Sequence, residues 1–129
     1  MDRTISYLKK LFHILTLLLI ILSLYPGSIL GFLLYGDFKL QPLFTKDFAY
    51  ISSSHLYVYF LISVLGFFSY LRDRKFKLVI IYLFFLSIIL EVAHLVIPER
   101  SFQIKDLTGN ILGVLIAYII VLIYKFWRK

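Results

Sequence analysis

Four long apolar runs, separated by short charged links, limit what this chain can become. They read as helices over about 8–25, 55–71, 76–97 and 107–127, with apolar residues continuing past Pro26 toward Leu34. Each run is close to the ~17–25 residues that a helix needs to cross the hydrocarbon core of a bilayer. In lipid every backbone N–H and C=O needs a partner inside its own segment or in a closed barrel. A barrel strand would alternate polar and apolar residues, and the run VIIYLFFLSIIL from Val79 to Leu90 does not. The expectation is an all-α, integral membrane four-helix bundle, with residues 1–129 forming one transmembrane domain.

Composition closes off the soluble alternative. A chain of 129 residues that is 61% hydrophobic and 19% aromatic could not hide its apolar surface from water, because small domains leave much of their surface in contact with solvent. Cysteine is absent, which removes disulfides and thiolate metal ligands. The net charge of +7 is not gathered into an arm or stripe, so nucleic acid is not an expected partner. The lipid bilayer is the expected one.

The basic residues instead set an orientation. Arg3, Lys9 and Lys10 precede the first run, Arg72, Arg74, Lys75 and Lys77 fill the link between the second and third, and Lys125, Arg128 and Lys129 close the chain. The two other links hold only Lys39 with Lys46, and Arg100 with Lys105. Positive residues favour the cytoplasmic side, which puts both termini and the Arg72–Lys77 link there. The basic start and first apolar run also suit a signal peptide, but Tyr25-Pro26-Gly27 stands where a small-residue cleavage site would be. An uncleaved anchor is expected. The apolar link 28–54 should lie along or dip into the outer interface.

In that orientation the unusual polar residues collect on the outer side. His55 opens the second helix, with Tyr59 one turn along the same face. Glu91 and His94 lie near the end of the third, Arg100 follows Pro98, and Asp106, Asn110 and Gly113 share a stripe at i, i+4 and i+7. A carboxylate inside a transmembrane helix costs roughly 2.5–3.5 kcal/mol unless paired. Arg100 is the nearby arginine, and its planar fork suits a carboxylate or a phosphate. Pairing with Glu91 or Asp106 would neutralise the cluster, whereas incomplete pairing would leave a site for an anion. Asp106 also suits the N-cap of the fourth helix, Asn110 a helix–helix hydrogen bond, and Gly109, Gly113 and Ala117 a close-packing seam. His13 reads as an interfacial residue near the cytoplasmic end of the first helix.

The order His55-x3-Tyr59, Glu91-x2-His94-x3-Pro98-x-Arg100-Ser101 and Asp106-x3-Asn110-x2-Gly113 resembles the VanZ-like family of small bacterial membrane proteins. A weaker match is Ser23-Leu24-Tyr25-Pro26. Three places depart from the family pattern. Ile51 and Ser52 stand where Asp-Lys is frequent, His94 where glutamine is usual, and Glu99 where glycine is usual. The resemblance implies a four-helix protein of the bacterial cytoplasmic (inner) membrane and a link to resistance against teicoplanin, a lipoglycopeptide. It implies no particular reaction.

The first functional expectation is a pocket in the outer leaflet that recognises an anionic lipid or lipid-linked envelope molecule. Arg100 would meet the anion, Glu91, Asp106 and Asn110 would orient it, and His55, Tyr59 and His94 would line the site. The alternatives are an enzyme acting on such a lipid, with His55 or Glu91 as the acid or base, and an assembly subunit whose polar cluster only sets packing. His55 and His94, with Glu91 and Asp106, invite a metal, but a single Glu91-x2-His94 pair is a thin basis for one, so neither a metal nor another cofactor is expected. No nucleophile elbow, phosphate-cradling loop or His-Glu-x-x-His is present.

Overall fold

A computed structural model describes residues 2–129. The chain forms α1 (Arg3–Leu24), α2 (Ile29–Tyr35), α3 (Ser53–Ser69), α4 (Phe76–Ala93) and α5 (Ile104–Trp127). Among the described residues the only extended pairing is an isolated bridge between Phe48 and Ile51. The described residues thus form five helices where the apolar pattern marks four. The added one arises at Pro26, which biases the residue before it away from helical geometry. Tyr25 is accordingly extended, at φ −69° and ψ 133°. The chain restarts at Ser28, whose hydroxyl accepts from Gly31 N at 2.9 Å, and α2 ends at Gly36 in the left-handed conformation.

The third apolar run also differs from its expected length. Regular helix stops at Ala93, not at 97. His94, Leu95 and Val96 continue as tight turns, donating to Glu91, Val92 and Ala93 three residues back. Such turns are a common way to use the last carbonyls of a helix, and an apolar count along the chain includes them. Conversely α5 begins at Ile104, three residues before 107.

The most extensive contact is between α3 and α5, with α1 and α4 packed around that pair. The expected small-residue seam is what brings the two together. A Cβ on Gly109 would meet Ser52 O at 2.6 Å, and one on Gly113 would meet Leu56 O at 2.6 Å and Phe60 N at 2.8 Å. Ala117, one turn on, is fully buried, and Phe67, Leu83, Val114 and Val121 close the core around it.

Outside that core the helices present apolar side chains. Leu17, Leu18 and Ile21 of α1, Leu78, Ile81 and Phe85 of α4, and Ile119 and Ile123 of α5 are exposed. Surface this apolar and continuous suits lipid and not water. Three helices, α1, α4 and α5, are long and apolar enough to cross a membrane, and the chain is a membrane protein. The 17-residue α3 is apolar but shorter, about 25 Å at 1.5 Å per residue against a core of about 30 Å.

Several basic groups lie together at one end. Lys9 pairs with Asp73 in the link between α3 and α4, and Lys125 lies 3.6 Å over the Phe76 ring. His13, expected at an interface, is at this end too, with Nε2 2.7 Å from the Tyr70 hydroxyl.

Candidate functional site

At the opposite end the helix termini converge on the buried polar side chains. Glu91, in the last turn of α4, is 1% exposed. Its Oε1 accepts from Gln103 N at 3.0 Å. A carboxylate of α4 thus meets one of the amides left without an intrahelical partner where α5 starts. Gln103 is the residue that caps α5, so Asp106 is not the N-cap that its position suggests. It lies in the first turn, where negative charge still faces the positive end of the helix dipole.

Asn110 organises the centre. Its Nδ2 donates to Ser87 O of α4 at 3.1 Å, while its Oδ1 lies 2.8 Å from His55 Nδ1 on α3. The Ser87 carbonyl can only accept, which fixes the amide and leaves Oδ1 facing the ring. His55 therefore carries a proton on Nδ1, and its Nε2 turns toward Asp106 Oδ2, 3.8 Å away. The same logic orients His94. Its Nε2 donates to Ser23 O at 3.0 Å, and its Nδ1 stands 3.3 Å from Glu91 Oε2. That oxygen is buried and has no hydrogen-bond partner.

Arg100 does something other than expected. It forms no ion pair with Glu91 or Asp106, and no carboxylate lies within 4.0 Å of it among the described residues. Its Nη2 donates to Leu22 O at 2.6 Å and its Nε to Tyr25 O at 3.2 Å. These carbonyls close α1, where backbone oxygens lack partners and carry partial negative charge. Burial presses the guanidinium below its ordinary pKa, with Glu91 and Asp106 acting the other way, and an arginine remains charged throughout.

His55, Glu91 and Asp106 each offer a ligand-type atom, and these atoms lie within 4.8 Å of one another. Two carboxylate charges at that spacing repel by about 3–4 kcal/mol at an effective dielectric of ~20. The arrangement needs a proton or a cation.

Two spaces that share lining residues open onto this cluster. The inner one, ≈ 160 Å³, has apolar walls from Leu19, Leu22, Leu30, Val58 and Leu90. The outer one, ≈ 310 Å³, is lined by Lys39, Asp47, Gln103, Lys105 and Asp106. His55, His94 and Arg100 belong to both. Tyr59 is 3% exposed and lines the inner space.

The VanZ/LLP1 family model matches residues 5–126, nearly the whole chain. The chain belongs to the VanZ/LLP1 family. Comparison with curated proteins and with solved structures gives no match. Of the residues in the three main motifs of the VanZ resemblance, His55, Tyr59, Glu91, His94, Arg100, Ser101, Asp106 and Asn110 line one or both spaces, whereas Pro98 and Gly113 line neither.

Sequence reasoning missed the partners. Ser87 O, Ser23 O and Gln103 N are backbone groups that no side-chain pattern announces. Asp47 was legible only as a charge. It accepts from Ser53 N at 3.2 Å and from Lys105 Nζ at 2.9 Å, closing the outer space. The hydrogen bond from Lys105 holds its carboxyl below the ordinary 3.8.

Proposed function

We propose that this chain is a multi-pass protein of the bacterial cytoplasmic membrane that binds the anionic head group of an amphipathic ligand at the outer leaflet. Residues 1–129 act as one domain. In this reading α1, α3, α4 and α5 all cross the bilayer, and the termini and the Arg72–Lys77 link face the cytoplasm, as the distribution of basic residues favours.

The observation that carries the reading is Arg100. Two of its donors cap α1, while its charge meets no carboxylate within 4.0 Å among the described residues. It lines both the apolar chamber and the polar vestibule. A phosphate or carboxylate there would complete the fork geometry of the guanidinium, and a hydrocarbon chain would fill the inner space. An anionic lipid or a lipid-linked envelope precursor has that form. Teicoplanin, a lipoglycopeptide, joins an acyl chain to a polar body, so the family's resistance association fits the same chemistry.

The test is the lipid content of detergent-purified wild type and Arg100→Ala by mass spectrometry. Wild type should retain an anionic lipid above the detergent background, and Arg100→Ala should lose most of it, about a tenfold change for ~1.4 kcal/mol of binding. Equal content in the two proteins at background level defeats the proposal.

A second reading, an enzyme acting on the same ligand, has one observation in its favour. His55 holds its proton on Nδ1 through Asn110 and presents a basic Nε2 toward the acidic cluster, which singles out His55 over Glu91 as the acid or base. Incubation with extracted envelope lipids tests it, since absence of any product across lipid classes removes it.

A further inference from the structure

In the sequence His55, His94, Glu91 and Asp106 are the metal-ligand types, and a single Glu91-x2-His94 pair is a thin basis for an ion. The tertiary structure brings three of these four together. His55 from α3, Glu91 from α4 and Asp106 from α5 bring three ligand-type atoms within 4.8 Å of one another.

We infer that His55 Nε2, with one carboxylate oxygen each from Glu91 and Asp106, forms a binding site for a divalent transition-metal ion of the zinc type, with a coordination position open to the pocket. Four independent observations support it. First, His55 Nε2 and Asp106 Oδ2 are 3.8 Å apart. That is too long for an N–H···O hydrogen bond, which needs about 2.7–3.2 Å. It is close to the spacing of two ligands on one ion, about 3.3 Å for tetrahedral bonds of 2.0–2.1 Å. The three ligand atoms, now within 4.8 Å of one another, would draw together around the ion.

Second, the tautomer is correct. Ser87 O fixes Asn110, Asn110 fixes the proton on His55 Nδ1, and the lone pair is left on Nε2. Metal-bound histidines typically donate their other ring N–H to such an acceptor, which sets ring orientation. Asn110 is a positioning residue in this sense. Third, Glu91 Oε2 is a buried carboxylate oxygen with no hydrogen-bond partner. Fourth, the charges balance. Two carboxylates and a neutral imidazole sum to the charge that a divalent ion cancels, which matters most where water is scarce.

The nearby cations do not fill that role. Lys105 is engaged with Asp47 at 2.9 Å, and Arg100 with two carbonyls. His94 Nδ1 stands 3.3 Å from Glu91 Oε2, an ion pair only with both ring nitrogens protonated, and does not reach Asp106 within ion-pair distance. Imidazole among the donors favours zinc-like ions over magnesium or calcium, which prefer all-oxygen sets. Three protein ligands facing a cavity is also the pattern of zinc sites that keep a fourth position open. The inference does not rest on Arg100 or on a lipid.

The experiment uses full-length protein in detergent, free of any histidine tag and stripped with a chelator, titrated with Zn²⁺ by calorimetry and assayed for metal after desalting. Wild type should bind one ion per chain. His55→Ala and Asp106→Asn should each weaken binding at least a hundredfold, and Asn110→Ala about 10–100-fold through loss of the His55 acceptor. His13→Ala, at the other end of the molecule, should leave it within about threefold, well below the change that loss of an outer-shell partner produces. Co²⁺ should give a visible spectrum of nitrogen–oxygen ligation in the wild type, a readout that holds even if a variant fails to fold. Wild type without stoichiometric Zn²⁺, or binding retained by both His55→Ala and Asp106→Asn, overturns the inference.

Discussion

Replacing Gly113 with alanine separates two effects of opposite sign. Helix propensity alone favours the change by about 1 kcal/mol, since glycine is the poorer helix former. The packing opposes it. The added Cβ would sit 2.6 Å from Leu56 O, 2.8 Å from Phe60 N and 3.0 Å from Tyr59 Cβ. Carbon contacts are comfortable at about 3.5–4.0 Å, so α3 and α5 must part by about 0.5–1 Å, forfeiting a quarter to a half of each contact well along the seam. Two of the atoms struck are α3 backbone, which cannot rotate away as a flexible side-chain tip would. Overpacking of this kind costs about 1–3 kcal/mol, and a rigid neighbour puts the cost near the upper end. The net loss should be about 1–2 kcal/mol, seen as a fall of about 4–8 °C in the thermal unfolding midpoint in detergent. The same separation would lengthen the contact between His55 on α3 and Asn110 on α5, now 2.8 Å, so ligand or metal binding should weaken in the same variant. An unchanged or raised midpoint would refute the argument that backbone approach at this glycine holds the two helices together.

Two further outcomes follow from backbone and charge. Glu99 has φ +61°, a left-handed conformation that costs a side-chain-bearing residue about 1–2 kcal/mol. Glu99→Gly should therefore raise stability by about 0.5–1 kcal/mol after glycine's larger unfolded-state entropy is subtracted, and a lower midpoint in detergent would contradict it. Lys9, through its hydrogen bond, holds the Asp73 carboxyl below its ordinary 3.8. That contribution is complete above the ordinary value and disappears as pH falls through the lower folded one. Asp73→Asn should thus flatten the loss of wild-type stability between about pH 5 and pH 2, and parallel curves for the two proteins would show the pair contributes nothing.

The glycine that the family usually carries at position 99 now has a physical account. The turn after Pro98 takes a positive φ there, so glutamate occupies a place that suits a residue without a Cβ. The departure was legible in the sequence, but its cost was not, because a backbone angle has no signature in one chain.

The sequence alone determines the membrane class, the helical content and the end of the molecule on which the polar residues gather. These follow from apolar run length, from the absence of alternation and from the placement of lysine and arginine, all local properties. The Gly109–Gly113–Ala117 seam was legible for the same reason, since four-residue spacing puts small residues on one face. What the tertiary structure decided is which polar group meets which. Arg100 follows Glu91 and precedes Asp106 along the chain, and pairing among them is the natural expectation. The folded chain instead brings the carbonyl end of α1 beside Arg100, from residues more than seventy positions away. Glu91 is left to Gln103 N, and His55 to Asn110. Backbone carbonyls and amides at helix ends compete for charged side chains as strongly as other side chains do, and only the packing of helices reveals where those ends are.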